Sequence, residues 1–317
     1  RREISQMKIR KPDALVEGDT IGIVATSRWL DPQKLQKCAK NFEKAGFKVK
    51  IHPNNGLRLH EWAGSLPERA KAFTDYWCDP EIKAIVTAAG GTRTLHLLDH
   101  LDFETLKQHQ KILIGYSDNT ALLNALLTKC ETTSLHGPDA GRFSADDSSK
   151  YLKDFFNVTS GKKLTEDQWL DSKILNYGEG EGYLIGGNLC IFTYLMGSEY
   201  APDFKDAILF IEDEMEELRN IDRMLLQLKR LGKLKDLSGI IVGGFSMNLN
   251  NGRLPFPYEV EDLIKEHTKG LNIPVVVDAP FGHGKDLKIM PVGTRIKLTA
   301  DKTGVTYAPM DTPVNAI

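Results

Sequence analysis

Residues 111–120 read KILIGYSDNT and run straight into ALLNALLTK. A short apolar run reaches Gly115-Tyr116, a lone Ser117 follows, and Asp118-Asn119-Thr120 opens a helical pattern. A run this apolar fits a strand covered on both faces, as in a parallel sheet. The serine then sits at a strand-to-helix turn, where two readings are open. It can cap the helix, as Ser, Asp, Asn and Thr all do. It can also be a nucleophile, lifted from the backbone by a tight turn and facing the free N–H groups and positive dipole end of the helix. The second glycine of G-x-S-x-G is absent, so this stretch alone does not decide.

The same alternation extends in both directions. IGIVATS (21–27), KVKIHP (48–53), AIVTAAGG (84–91) and KILIGYS (111–117) read as strands. Helical patterns separate them: PQKLQKCAKNFEKAGF, SLPERAKAFTDYWCD and TLHLLDHLDFETLKQH. Strands alternating with helices predict a parallel sheet flanked by helices, with ligands at the carboxyl ends of the strands, where AAGG and GYSD fall. From about Phe143 to Glu181 the pattern decays into polar sequence, expected as a linker with some helix. Further buried strands follow at AILFIED, GIIVGGF and IPVVVDAP, and RIKLTADKTGVTYAP predicts an antiparallel hairpin around DKTG. The expected fold is therefore α/β. An N-terminal domain (7–145) carries a mostly parallel sheet flanked by helices, a linker spans 146–180, and a C-terminal mixed α/β domain (181–317) closes in the terminal β-hairpin.

Composition narrows the function. The chain has 317 residues, 26% of them charged, with a formal net charge of -2, which argues against a broad electrostatic grip on nucleic acid or anionic membrane. No apolar run approaches the span of a bilayer, and the first residues lack the apolar segment of a secretory signal. Met7 is a candidate natural start. Cys38, Cys78, Cys130 and Cys190 are far apart and form no CxxC, which fits reduced thiols in a cytoplasmic protein.

A nucleophilic serine needs a base, and the base an orienting carboxylate. Among the eight histidines, His283 stands out: it follows the strand VVVDAP, and Gly282 and Gly284 leave room beside it. A simple turn histidine is the other reading. ILFIEDE offers Glu212, Asp213 and Glu214 at another strand end, where an acid next to apolar sequence requires a partner. Asp213 and Glu214 suit a helix start, and Glu212 is the candidate partner of His283. Backbone N–H groups near the serine would hold an oxyanion, and Gly91 (beside Gly90) and Asp118 are the candidates. His96 and His100 share a helix face like an inverted zinc-protease motif, yet the acid between them is Asp and no third ligand is evident. GEGEG (178–182) and GGFSMNLNNG (243–252) are glycine-rich but do not fit a dinucleotide fingerprint, and read as loops.

Taken together, AAGG, LDFETLKQHQKILIGYSDNTALL, LHGP, GYLIGGNL, AILFIEDEMEELRNIDRMLLQL and DAPFGHG resemble the LD-carboxypeptidase family of serine peptidases, which also holds the microcin C self-immunity peptidases. The resemblance implies a Ser-Glu-His triad at Ser117, Glu212 and His283 and an oxyanion hole near Gly91 and Asp118. It further implies no metal or organic cofactor, a homodimer, and as substrate a cytoplasmic murein tetrapeptide that loses its terminal D-Ala. Many members read Arg-Gly-Gly-Tyr-Gly where this chain has Ala89-Gly90-Gly91-Thr92-Arg93. That departure affects substrate preference more than catalysis, and it makes Arg93 a candidate clamp for the substrate carboxylate, against the plainer reading of a solvated arginine. The segment before ILFIED lacks the longer insertion of the microcin branch, which favours murein over a peptidyl-nucleotide. A muropeptide-binding protein without catalysis is the remaining alternative.

Overall fold

The computed structural model describes residues 8–316 apart from 251 and 253, so Met7 and the residues before it lie outside the described part. Two sheets organise the molecule. The first has six strands in the order Met290–Val292, Ser134–His136, Ile112–Gly115, Ile82–Thr87, Thr20–Val24, Lys48–Ile51. All neighbours are parallel except the first pair, in which Met290 lies opposite His136. Thr20–Val24 and Ile112–Gly115 are buried along their whole length, as apolar runs covered on both faces predict.

Local chemistry starts the flanking helices. Asp31 accepts from the N–H groups of Gln33 and Lys34, Pro32 supplies the first helical φ, and Leu35, Cys38, Ala39 and Phe42 form the buried stripe of Pro32–Lys44. Ser65 and Glu68 close a capping box at the start of Leu66–Cys78. The stretch TLHLLDHLDFETLKQH is not one helix. Asp102 accepts from the N–H groups of Glu104 and Thr105 and starts Phe103–Lys107 afresh, after the shorter turns Thr94–Leu97 and Leu98–His100.

The second sheet has eight strands in the order Asp167–Gln168, Gly304–Pro309, Arg295–Asp301, Gly178–Asn188, Ile208–Glu214, Gly239–Ser246, Val275–Val277, Lys173–Asn176. Its centre is parallel, and the hairpin at 295–309 is antiparallel. The segment 146–180 carries the helix Ser149–Thr159 and both edge strands of this sheet.

One expectation is overturned here. GEGEG lies within the strand Gly178–Asn188, paired with Arg295–Asp301, and the first half of GGFSMNLNNG lies within Gly239–Ser246. The glycines serve close packing: a Cβ on Gly180 or Gly182 would sit 1.9 Å from the carbonyl oxygens of Ser238 and Asp206. Glycine content alone does not separate such a strand from a loop.

The helix Thr120–Cys130 is buried almost all round because it lies between the sheets. Its Asn124 exchanges hydrogen bonds with Gly186 of the second sheet, donating from Nδ2 to the carbonyl at 2.8 Å and accepting from the N–H at 3.2 Å. Leu122, Leu126, Leu184, Ile208 and Val242 share that core. A second core lies on the outer side of the first sheet, where Phe42, Phe143 and Phe155 meet edge to face. No helix among the described residues is long and apolar enough to cross a membrane.

Candidate active site

Ser117 follows the strand Ile112–Gly115 in left-handed backbone, φ 58°. A non-glycine residue pays on the order of 1–2 kcal/mol for that conformation, so the surroundings must hold it. Asn119 is one anchor: its Nδ2 donates to the carbonyls of Ala89 and Tyr116, and its Oδ1 accepts from Thr26 Oγ1 at 2.5 Å. Asp118 is another. Its Oδ2 accepts from Ser27 Oγ at 2.7 Å, Thr94 N at 2.9 Å and Thr94 Oγ1 at 2.6 Å. The acidic side chain therefore ties the turn to two neighbouring strand ends, a role beyond the backbone donor expected of it.

Gly90 lies directly against the serine: a Cβ there would stand 3.0 Å from Ser117 Cβ and 3.1 Å from its Oγ. Gly91, at φ 135°, is pressed instead against Ser27 and Arg28, whose Oγ and Cβ would lie 2.8 and 2.9 Å from an added Cβ. Only glycine fits either position without displacement. Arg93 is also left-handed, φ 74°, and its exposed guanidinium stands 5.2 Å from the centre of the Trp62 ring. His96 and His100 are both exposed, and among the described residues no group of three or more His, Cys, Asp or Glu is placed to hold a metal ion.

Strand alternation sorts the three acids of ILFIEDE. Residues two apart point to one face of a strand, so Glu212 and Glu214 turn towards His283 and Asp213 turns away. His283 Nδ1 lies 2.6 Å from Glu212 Oε2, and its Nε2 lies 3.9 Å from Glu214 Oε2. Asp213 accepts from Asn188 Nδ2 at 2.8 Å and Cys190 N at 3.0 Å, at the start of the helix Leu189–Thr193. Burial and the adjacent Glu212 charge push its carboxyl up to about 7.

Glu212 is fully buried. Burial alone would raise its pKa, but two imidazoles outweigh that cost and hold the carboxyl below its ordinary range. The first is His283. The second, His136, ends the strand Ser134–His136, is fully buried, and places Nε2 3.6 Å from Glu212 Oε1. Among the described residues neither of its ring nitrogens has a hydrogen-bond partner, and its Nε2 faces the Glu212 charge. His136 is the residue that sequence reasoning missed. LHGP contained it, but nothing local showed that a strand of the other sheet would bring it behind Glu212. Burial pulls the His283 pKa down, yet Glu212 and the other acids nearby raise it above the ordinary histidine value.

The two halves of the site are joined by short links. Thr120, three residues after Ser117, accepts through Oγ1 from Asn188 N at 2.9 Å, and Asn188 pairs in register with Glu212. On the other side the Tyr116 ring packs 4.9 Å from the His283 ring, centre to centre. Glu212 and His283 are thus bonded directly, and His283 lies against the residue that precedes Ser117.

A buried carboxylate–imidazole pair, whose imidazole packs on the residue before a serine held in a strained turn, has the parts of a hydrolytic site, and the whole-chain comparisons agree on the class. The LD-carboxypeptidase N-terminal domain matches residues 21–137 and the LD-carboxypeptidase C-terminal domain residues 181–298. The chain belongs to the LD-carboxypeptidase family. A probable murein peptide carboxypeptidase of Bacillus subtilis is 33% identical, with 94% of each chain covered. The microcin C7 self-immunity protein MccF of Escherichia coli is 27% identical, covering 92% of this chain and 94% of that one. Among solved structures, muramoyltetrapeptide carboxypeptidase from Oxalobacter formigenes superposes with a TM-score of 0.81 at 30% identity, covering 93% of this chain and all of that one.

Proposed function

We propose that this protein is a serine carboxypeptidase that removes a C-terminal D-amino acid, D-Ala, from an L-centre of a cytoplasmic murein tetrapeptide. The observation that carries the reading is the buried Glu212–His283 hydrogen bond, 2.6 Å long, set beside the strained Ser117 turn. His283 takes the Ser117 proton as the hydroxyl attacks the scissile carbonyl, and Glu212 orients the imidazole and stabilises its cationic form. The N–H groups of Gly91 and Asp118 receive the oxyanion. His283 then protonates the leaving D-amino acid, and water, activated in the same way, releases the acyl group. Relatives named as murein and muramoyltetrapeptide carboxypeptidases support the substrate class.

Arg93 is our candidate for the substrate carboxylate, supported by its strained backbone one residue before Thr94, which is bonded to Asp118. Arg93→Ala should slow cleavage of the free acid far more than that of a C-terminally amidated analogue, and equal losses would remove the assignment. Mass spectrometry of a murein tetrapeptide incubated with wild-type and Ser117→Ala protein tests the whole reading. Loss of D-Ala is expected with the wild type alone, and release by the variant would refute Ser117 as nucleophile. Likeness to MccF supports a second reading, cleavage of a peptidyl-nucleotide. Turnover of such a compound but not of the tetrapeptide would favour it.

A further inference from the structure

The geometry points to Arg142 as a positioning residue that holds the His283 loop in register with the serine turn, an inference that rests on His283 being the base. His283 stands in the irregular segment between Val275–Val277 and Met290–Val292, with Gly282 at φ 125° before it and Gly284 after it. No ladder fixes its backbone there. The ring is tied at Nδ1 by Glu212 and packed on Tyr116, but neither contact holds the backbone from which the ring hangs.

The missing restraint comes from the other half of the chain. Arg142 lies in the short helix Ala140–Phe143, whose start is fixed by Asp139 Oδ1 accepting from Arg142 N at 3.1 Å. Its half-buried guanidinium donates through Nη2 to the His283 carbonyl at 2.5 Å and through Nε to the Tyr116 hydroxyl at 3.2 Å. Tyr116 precedes Ser117 and packs on the His283 ring. One planar group therefore touches the backbone of the base and the neighbour of the nucleophile, and its two donors point in fixed directions. Farther along the loop the same region of the chain continues the grip. Lys150 Nζ and Tyr151 Oη donate to the Lys285 carbonyl, and Asp154 Oδ2 accepts from Ile289 N. Arg142 is the member of this set that reaches the catalytic pair.

A displacement of about 1 Å at a catalytic group costs on the order of 100-fold in rate. Arg142→Ala should therefore lower kcat about 100-fold with KM changed little, and slow the labelling of Ser117 by a fluorophosphonate by a similar factor. Guanidinium ion at low millimolar concentration should restore part of both rates. Arg142→Lys keeps the stem and the charge, but a single ammonium lacks the fork, so it should fold normally and still lose most of kcat. Ser117→Ala and His283→Ala serve as controls: if they remain active, the catalytic reading itself fails. If they are inactive while both Arg142 variants keep kcat within about twofold, the positioning role is overturned. A raised KM at unchanged kcat would also overturn it, since Arg142 would then bind substrate. So would a loss that disappears once rates are normalised to the folded, active-site-titrated fraction.

Discussion

Glu212→Gln is the substitution that isolates charge from shape at this site. Glutamine fills the same buried space and can still meet His283 Nδ1, but it cannot balance an imidazolium. The pair is 2.6 Å apart atom to atom, with charge centres about 4 Å apart. Two unit charges at about 4 Å attract by about 4 kcal/mol at an effective dielectric of about 20. In the proposed mechanism the cation forms only as Ser117 gives up its proton, so most of this attraction acts in the transition state, and kcat should fall roughly 10³-fold with KM little changed. The pH profile carries an independent sign. Acids around His283 raise its pKa while burial lowers it. The base must be neutral, so wild-type kcat/KM should fall as pH drops through a value above the ordinary histidine range. Removing the Glu212 charge leaves burial dominant, and the acid limb should move to lower pH. Steady-state kinetics on a murein tetrapeptide from pH 5 to 9 measures both effects. A rate within tenfold of wild type, or an acid limb that stays put or moves upward, would refute the assignment of Glu212.

Ser117→Gly should abolish turnover yet stabilise the fold by about 1 kcal/mol, because glycine adopts the observed φ of 58° without the strain of a side chain; thermal melting of wild type and variant checks it, and a lowered midpoint would remove strain from the account. His136→Phe keeps an aromatic ring in a site lined by Tyr116, Phe210 and Phe281 but takes away the imidazole behind Glu212. A hydrogen bond to a buried charge is worth about 1.5–3 kcal/mol, and at 3.6 Å the His136 imidazole gives less than a full one, so kcat should drop about 10-fold, and unchanged kinetics in a folded variant would make His136 a packing residue. Asp213→Asn should leave kcat/KM within about tenfold, since this side chain faces away from His283. Folding stability, read by urea unfolding, should fall by about 1–3 kcal/mol because Asn188 Nδ2, Cys190 N and Glu214 N all donate to the acid and an amide cannot accept all three.

Much of this molecule follows from local sequence. Continuous Ile, Val and Leu make strands such as Ile112–Gly115 and Ile208–Glu214 recognisable, because burial on both faces leaves no polar alternation to interpret. Caps mark where helices begin, as Asp31 and Ser65 do. Residues that must leave a strand end to do chemistry stand next to such runs, and for that reason Ser117, Glu212 and His283 could be proposed before any coordinates. Period-two alternation even separates Glu212 from Asp213 once the strand is accepted. Local rules failed where the determinant was contact with distant chain. GEGEG is a strand because its glycines pass over the carbonyls of Ser238 and Asp206, a closeness that no neighbour in sequence encodes. His136 and Arg142 lay in the run LHGPDAGRF, which gave no local sign of their partners, and only the meeting of two sheets set one behind Glu212 and the other on the His283 carbonyl. The sequence by itself determined most of the elements and the candidate reactive residues, since these depend on burial and backbone chemistry within a few residues. The partners that orient and charge those residues were decided by tertiary structure alone, because a hydrogen bond between positions 141 residues apart, Arg142 and His283, exists only after the chain has folded.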